Sequence, residues 1–232
     1  MPKKFEKEFI SYCENQNLEV NPNQIKVIKK LEDYHNSNYK SFFSKLFSKQ
    51  KTKKGFYLYG GVGVGKTMIL NFFYDHLEEK KLKKHFNEFM LGFHDFVHEQ
   101  KEKNEENVIN QFVKNLKSKA SLVYFDEFQV TNIVDAMILG KLFEQIFKED
   151  IKIILTSNTK ISELYKEGLQ REQFIPFIKI MENQSIEYEL KIEDDYRKSN
   201  DNQKQRYFFP LNQETNFKIN KFFRTILSLI HI

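Results

Sequence analysis

The 232-residue sequence contains no tryptophan, four prolines and a single cysteine. Because Cys13 has no second cysteine with which to form an internal disulfide, we expect a protein of a reducing compartment. No run approaches the roughly 20 apolar residues needed to cross a bilayer. The N-terminus, MPKKFEKEFISYC, mixes lysine with glutamate and has no apolar core, which argues against a targeting peptide. These features predict a soluble, cytoplasmic protein.

Arginine is also scarce, since only four of the 37 basic residues are arginines. In such a composition lysine supplies charge alone, so a remaining arginine is a candidate for a role that needs a planar guanidinium. The net charge of +5 comes from lysines scattered among glutamates. This pattern is typical of a solvated surface, and we expect no direct nucleic-acid partner.

Glycine is rare except in one place: four of the eight glycines lie within residues 60–65. The pattern G-x-x-x-x-G-K-[ST] is that of a phosphate-binding loop, although a glycine-rich turn is the simpler alternative. An apolar strand precedes it and an apolar helical pattern follows it, as that loop requires. We predict that Lys66 reaches the β and γ phosphates of ATP and that Thr67 holds Mg²⁺. The predicted nucleotide-binding residues are Gly60, Gly61, Val62, Gly63, Val64, Gly65, Lys66 and Thr67.

A pair of acidic residues ends the apolar segment SLVYFDEF, residues 121–128. Ligands bind at the carboxyl ends of strands in open α/β sheets. After a phosphate-binding loop, we expect Asp126 to coordinate Mg²⁺ and Glu127 to polarise the attacking water. Alone, the pair could equally cap the following helix.

A third polar group, Thr156, Ser157 and Asn158, ends the apolar segment IKIILTSN. Serine and asparagine are ordinary residues where a strand passes into a loop. Beside the other two motifs, however, we expect Asn158 to hydrogen-bond the attacking water or the γ phosphate.

Strand-like and helix-like segments alternate, which predicts an α/β fold with a mostly parallel five-stranded sheet flanked by helices. The predicted strands are residues 55–60, 85–90, 121–126, 151–157 and 185–190. The predicted helices lie near residues 23–48, 66–80, 93–117, 133–148 and 160–168. We expect three parts: an N-terminal helical segment (1–50), a P-loop ATPase core (51–192) and the start of a helical lid (193–232).

The motifs together resemble the ZapE-type family of AAA+ ATPases, which are bacterial cell-division proteins with AFG-like mitochondrial relatives. The resemblance extends over residues 20–220, and DEFQVTNIVDAMIL and LYKEGLQR are its most particular segments. It implies ATP and Mg²⁺ as ligands and a homo-oligomeric ring with ATP between subunits. It also implies a protein partner, either the division ring or inner-membrane clients, with peripheral membrane association.

Two further expectations depend on this resemblance. Arg171 takes the position of an arginine that reaches the neighbouring subunit's γ phosphate; the alternative is an arginine that binds carbonyl groups at a helix end. The ending FFRTILSLIHI departs from the family, so we expect a truncated or frame-shifted member, or a shortened piece of one, with an incomplete lid.

Three functions remain open from the sequence. The first is an ATPase that remodels a protein partner. The second is a DnaC-like helicase loader, which the particular segments and the scattered basic residues disfavour. The third is a nucleotide-binding module with little turnover.

Overall fold

The structure is a computed structural model that describes residues 4–39, 52–100 and 105–191. The first two helices precede the sheet, and strands and helices then alternate. The helices are α1 (Lys4–Asn15), α2 (Pro22–Tyr39), α3 (Lys66–Asp75), α4 (Phe86–Glu99), α5 (Glu105–Lys119), α6 (Ile133–Lys148) and α7 (Ile175–Gln184). The strands are β1 (Gly55–Tyr59), β2 (Lys81–His85), β3 (Leu122–Asp126), β4 (Lys152–Ser157) and β5 (Ser185–Glu189).

All five strands are parallel and lie in the order β2-β3-β4-β1-β5. This confirms the predicted α/β fold. Strand β4 lies between β1 and β3, with Tyr57 beside Leu155 and Phe125 beside Leu155 on the other side. Parallel strands end at a common edge, so the segments that follow β1, β3 and β4 are neighbours in space.

The sheet has an apolar layer on each face, because successive side chains of a strand point to opposite sides. On one face, Phe56, Leu58 and Tyr124 join apolar residues of α1, α2 and α3. On the other face, Tyr57 and Phe125 join residues of α4, α5, α6 and α7. Helices α1 and α2 therefore share a core with the sheet.

The predicted strand at residues 85–90 is wrong, because β2 lies earlier and residue 86 already begins α4. The buried residues Phe86, Phe89, Met90 and Phe93 follow the i, i+3, i+4, i+7 spacing of one helix face. The strand itself reads KLKKH, which does not look apolar in the sequence. It lies at the edge of the sheet, where lysines are well tolerated.

The predicted helix at residues 160–168 is also wrong. The structure has a short 3-10 helix at Ile161–Glu163, and turns follow it. Tyr165 and Gln170 adopt left-handed backbone angles, with φ of 53° for each, which a continuous α-helix does not contain. Helix α7 was not predicted, whereas α1 lies in the N-terminal segment (1–50) that was expected to be helical. The lid expected at 193–232 lies outside the described residues.

Candidate active site

The segment that joins β1 to α3 is a tight loop that depends on glycine. Gly63 and Gly65 have φ angles of 88° and 89°, which side-chain-bearing residues rarely adopt. At Gly60, a Cβ atom would lie 2.3 Å from the carbonyl oxygen of Leu190. The loop therefore approaches β5 closely and enters α3 at Lys66, as the glycine pattern predicted.

Lys66 is buried, with 8% of its surface exposed, and its amino group lies among oxygens of two segments. Its Nζ donates to the carbonyl oxygens of Gly60 and Gly61, at 2.8 and 2.7 Å. It also donates to Oδ1 of Asn158, at 2.9 Å. The structure thus brings together two predicted site residues that are 92 positions apart.

Asp126 ends β3 and is also buried, with 5% of its surface exposed. Its Oδ1 accepts a hydrogen bond from Thr67 Oγ1 at 3.1 Å, which joins the acid to the first turn of α3. The same oxygen accepts a shorter hydrogen bond from Thr156 Oγ1, at 2.6 Å. These bonds hold the carboxylate between the phosphate-loop helix and β4.

Glu127 follows directly and has an exposed side chain. Its φ angle is 54°, an uncommon value for a residue with a side chain. Its backbone N–H lies 3.2 Å from Oδ1 of Asp126 and 3.0 Å from Oγ1 of Thr156. One carboxylate is therefore buried and fixed, while the next reaches solvent at the same edge of the sheet.

The Thr67 hydroxyl and the Asp126 carboxylate are hard oxygen donors 3.1 Å apart, which fits Mg²⁺. Mg²⁺ commonly takes one or two protein ligands and completes its shell with water and phosphate oxygens. Across the described ranges, no group of three or more His, Cys, Asp or Glu residues could hold a metal. The donor set therefore suits a metal that arrives with a nucleotide.

Tyr124 lies two residues before Asp126 on β3, and its side chain is fully buried. Burial, and then the negative charge of Asp126, raise the pKa of the Tyr124 phenol well above its usual range. The phenol therefore remains protonated and neutral beside the site.

A family model, that of the AFG1-like ATPases, matches residues 12–230. The chain belongs to this family. Lactation elevated protein 1 homolog B of Danio rerio is 40% identical over 159 residues, which are 64% of this chain and 32% of that protein. Cell division protein ZapE of Escherichia coli K12 is 34% identical over 175 residues, which are 75% of this chain and 46% of that protein. The chain thus spans less than half the length of these relatives.

A solved structure supports the fold alone. Domain III of the replication initiation protein DnaA from Thermotoga maritima superposes with a TM-score of 0.51 at 16% sequence identity. The match covers 77% of this chain and 67% of that one. The family model and this likeness confirm the resemblance and the P-loop fold inferred from the sequence.

Arg171 lies apart from the residues just described. Its guanidinium donates to the carbonyl oxygens of Ser162, at 2.8 Å, and Lys166, at 3.1 Å. Both contacts belong to the segment that follows β4, and neither involves Lys66 or Asp126. They match the alternative of an arginine that binds carbonyl groups, and the role in a neighbouring subunit stays a prediction.

Two residues that contact the site were missed as site residues. Gln24 of α2 is buried, and its Nε2 donates to the carbonyl oxygen of Val64 at 3.1 Å. Nothing in the local sequence around Gln24 indicates this contact. Thr156 was noted at the correct edge, and only its place beside β3 shows that it binds Asp126.

Proposed function

We propose that this chain binds ATP with Mg²⁺ and hydrolyses ATP to ADP and phosphate. The observation that carries the proposal is the meeting of three segments at one edge of the sheet. They contribute Lys66 and Thr67, Asp126 and Glu127, and Asn158. These residue types are the ones that phosphoryl transfer to water needs.

The loop and Lys66 account for nucleotide binding. A glycine-rich loop at the N-terminus of a helix offers backbone N–H groups and a partial positive charge to a polyphosphate. Lys66 already donates to neutral oxygens at the mouth of the loop, and phosphate oxygens are stronger acceptors for its charged group. Thr67 and Asp126 would hold Mg²⁺, which neutralises negative charge on the phosphates when it is bound.

Glu127 and Asn158 account for hydrolysis. The exposed Glu127 carboxylate accepts hydrogen bonds from a water molecule and takes its proton as the water oxygen bonds to the γ phosphorus. The bond from that phosphorus to the bridging oxygen of ADP breaks in the same reaction, and ADP leaves with its electron pair. We propose that Asn158, which contacts Lys66, orients the γ phosphate or the water.

The experiment that tests the proposal compares the wild type with Glu127→Gln. We expect Glu127→Gln to bind ATP with unchanged affinity and to hydrolyse it about 100-fold more slowly, within the usual effect of a general base. Glu144→Gln, an exposed change on α6, is the matched control. Equal turnover by the wild type and Glu127→Gln would remove Glu127 from the mechanism, and a wild type that releases no more phosphate than a sample without protein would overturn the hydrolysis proposal.

Hydrolysis is proposed to drive the remodelling of a protein partner by a homo-oligomer. The support is membership of the AFG1-like ATPase family and similarity to a protein named for cell division. In the part of the chain that the structure describes, no helix combines the length and apolarity needed to traverse a membrane. We propose a cytoplasmic protein that associates peripherally with the inner membrane.

Two measurements test the partner class. Affinity capture with ATP-bound Glu127→Gln, from separate soluble and membrane fractions of the source cell, should enrich a protein client over the Lys66→Ala variant. Single-stranded DNA should leave the ATPase rate within twofold. Stimulation above tenfold would favour a helicase loader instead.

Arg171 is proposed to act across a subunit boundary. An arginine supplied by a neighbour can raise hydrolysis by about 10³ to 10⁵. Arg171→Ala should bind ATP and hydrolyse it slowly, and mixing it with Lys66→Ala should restore part of the rate. No recovery in mixtures with proven subunit exchange would leave Arg171 as a residue that only holds its own segment.

A further inference from the structure

We propose that Thr156 is a positioning residue of this site: its hydroxyl fixes the Asp126 carboxylate directly and the Glu127 carboxylate through the backbone N–H of Glu127. This inference rests on the proposed function, because it assigns Asp126 and Glu127 the roles given above. Thr156 itself would touch neither the nucleotide nor the metal, since only 1% of its surface is exposed.

The hydroxyl of Thr156 has one proton and accepts through its oxygen lone pairs. Its oxygen lies 2.6 Å from Oδ1 of Asp126, the distance of a strong hydrogen bond to a charged acceptor. The carboxylate can only accept, so the hydroxyl proton points to Asp126. The lone pairs then accept from the N–H of Glu127 at 3.0 Å. One hydroxyl therefore contacts both acidic residues, and its donor and acceptor roles are fixed.

The backbone around Glu127 shows why such a contact is needed. Its left-handed φ of 54° is a costly conformation that persists where neighbouring groups hold it. The next residue, Phe128, is held as well. Its N–H donates to the Thr156 carbonyl at 2.7 Å, and its carbonyl accepts from the Ser157 hydroxyl at 2.9 Å. The Phe128 side chain is buried, with its ring 4.3 Å from that of Phe86.

The backbone N–H groups of Glu127 and of the next residue, Phe128, are thus both held by hydrogen bonds, while the Glu127 side chain is exposed. The bonds to Phe128 use the Thr156 carbonyl and the Ser157 hydroxyl, and both would survive replacement of the Thr156 side chain. The bonds to Asp126 and Glu127 use the Thr156 hydroxyl and would not. Side-chain replacement therefore isolates the hydroxyl, and we expect the rotation of both carboxylates to be less restricted without it.

Two pairs of proteins separate the hydroxyl from packing. Valine matches the shape of threonine without the hydroxyl, so Thr156→Val is compared with the wild type. Serine and alanine differ only by the hydroxyl oxygen, so Thr156→Ser is compared with Thr156→Ala. Ser185→Ala is the matched control, because Ser185 is a buried strand residue with 1% of its surface exposed. It begins β5, at the opposite end of the sheet from the site.

Three quantities are measured for each protein: kcat and KM for ATP, the affinity for Mn²⁺ in the presence of ADP, and the melting temperature. We expect Thr156→Val and Thr156→Ala to lower kcat at least tenfold, with KM changed less than threefold. They should weaken Mn²⁺ binding at least threefold. Thr156→Ser should keep kcat and Mn²⁺ affinity within threefold of the wild type. Ser185→Ala should leave these two quantities unchanged.

Several results would overturn the inference. One is a Thr156→Val enzyme with the wild-type kcat and Mn²⁺ affinity. Another is equal loss in Thr156→Ser and Thr156→Ala, which would show that packing and not the hydroxyl matters. If Thr156→Val does not fold, the comparison of Thr156→Ser with Thr156→Ala still tests the hydroxyl.

Failure of the proposed function looks different. If the wild type releases no more phosphate from ATP than a sample without protein does, hydrolysis is excluded for this chain. Mn²⁺ affinity then still decides whether the Thr156 hydroxyl positions Asp126. Equal affinities in Thr156→Ser and Thr156→Ala would reject that role, and weaker binding by Thr156→Ala alone would support it.

Discussion

The two ends of the parallel sheet contain the same kinds of residue in different arrangements. At the carboxyl end, the contacts of Lys66 include two carbonyl oxygens and an amide oxygen. At the amino end, Lys54 and Lys152 each contact a carboxylate oxygen of Asp150, at 3.1 and 2.6 Å. At the amino end, Lys54 and Lys152 thus form ion pairs with Asp150.

At the carboxyl end, Asp126 accepts hydrogen bonds from the hydroxyls of Thr67 and Thr156 and from the backbone N–H of Glu127. A hydroxyl holds a carboxylate in place without neutralising its charge, whereas an ion pair neutralises much of the charge that a ligand would otherwise meet. We therefore expect the Asp126 carboxylate to be available to a cationic ligand and the Asp150 ion pairs to affect stability more than ligand binding.

The largest effect is expected when the buried lysines Lys66 and Lys152 are each replaced by alanine. Lys66→Ala should weaken ATP binding at least 100-fold, about 2.7 kcal/mol, because it removes a charged hydrogen-bond donor to the phosphates. Lys152→Ala should leave ATP affinity within twofold and lower the free energy of unfolding. Calorimetric ATP titration and urea unfolding measure the two effects.

Lys148→Ala, a change at an exposed residue of α6, controls for the loss of a surface lysine. Equal ATP affinities of Lys66→Ala and the wild type would contradict the proposed difference between the two ends. The same difference would be contradicted if Lys152→Ala weakened ATP binding as much as Lys66→Ala does.

Local patterns were enough to predict most of the candidate site. The spacing of Gly60, Gly65 and Lys66 and the end of an apolar segment at Asp126 are features of a few consecutive residues. The parallel sheet then brings their segments together without further information. Asn158 was predicted for the same reason, since it ends an apolar strand of that sheet.

What the sequence did not show depends on contacts between distant segments. Strand β2 is recognised through its pairing with β3, because its own lysines carry no apolar pattern. Gln24 reaches the loop because α2 packs on the same face of the sheet as α3. The helix predicted at 160–168 was wrong because turns with left-handed residues such as Tyr165 replace it.

A smaller effect is expected from a pair of buried tyrosines, Tyr34 at the amino end of the sheet and Tyr124 near the carboxyl end. The Tyr34 hydroxyl donates to the carbonyl oxygen of Lys54 at 2.7 Å. The Tyr124 hydroxyl makes no hydrogen bond of good geometry within the described part of the chain, although Asp126 and Thr156 lie close enough to affect its pKa. Tyr34→Phe should therefore cost about 1 to 2 kcal/mol of unfolding free energy, whereas Tyr124→Phe should be neutral or slightly stabilising.

Urea unfolding of the two variants at pH 7.5 checks this pair. Equal destabilisation by both would mean that the Tyr124 hydroxyl makes a hydrogen bond as valuable as that of Tyr34. The distinction between the two ends would then not extend to their tyrosines.

The smallest effect concerns Asp150 and depends on pH. Burial alone would raise the pKa of the Asp150 carboxyl, but hydrogen bonds and charge from Lys152 and Lys54 outweigh burial and lower it. A pKa below the unfolded value, about 3.9, contributes stability that is present above that pH and is lost as pH falls through the folded pKa. The side chain is 53% exposed, so solvent screening limits the effect of Asp150→Asn at pH 7.5 to about 0.5 to 1 kcal/mol.

Asparagine tolerates the left-handed backbone of Asp150, where φ is 57°, so the change removes the charge with little strain. The difference in urea midpoint between the wild type and Asp150→Asn should be constant from pH 7.5 to 5 and should shrink below about pH 4. It should also shrink in 0.5 M NaCl, because salt screens exposed ion pairs. If the difference is the same at pH 3.5 as at pH 7.5, the ion pairs do not stabilise the amino end, and the contrast with Lys66 must rest on ligand binding alone.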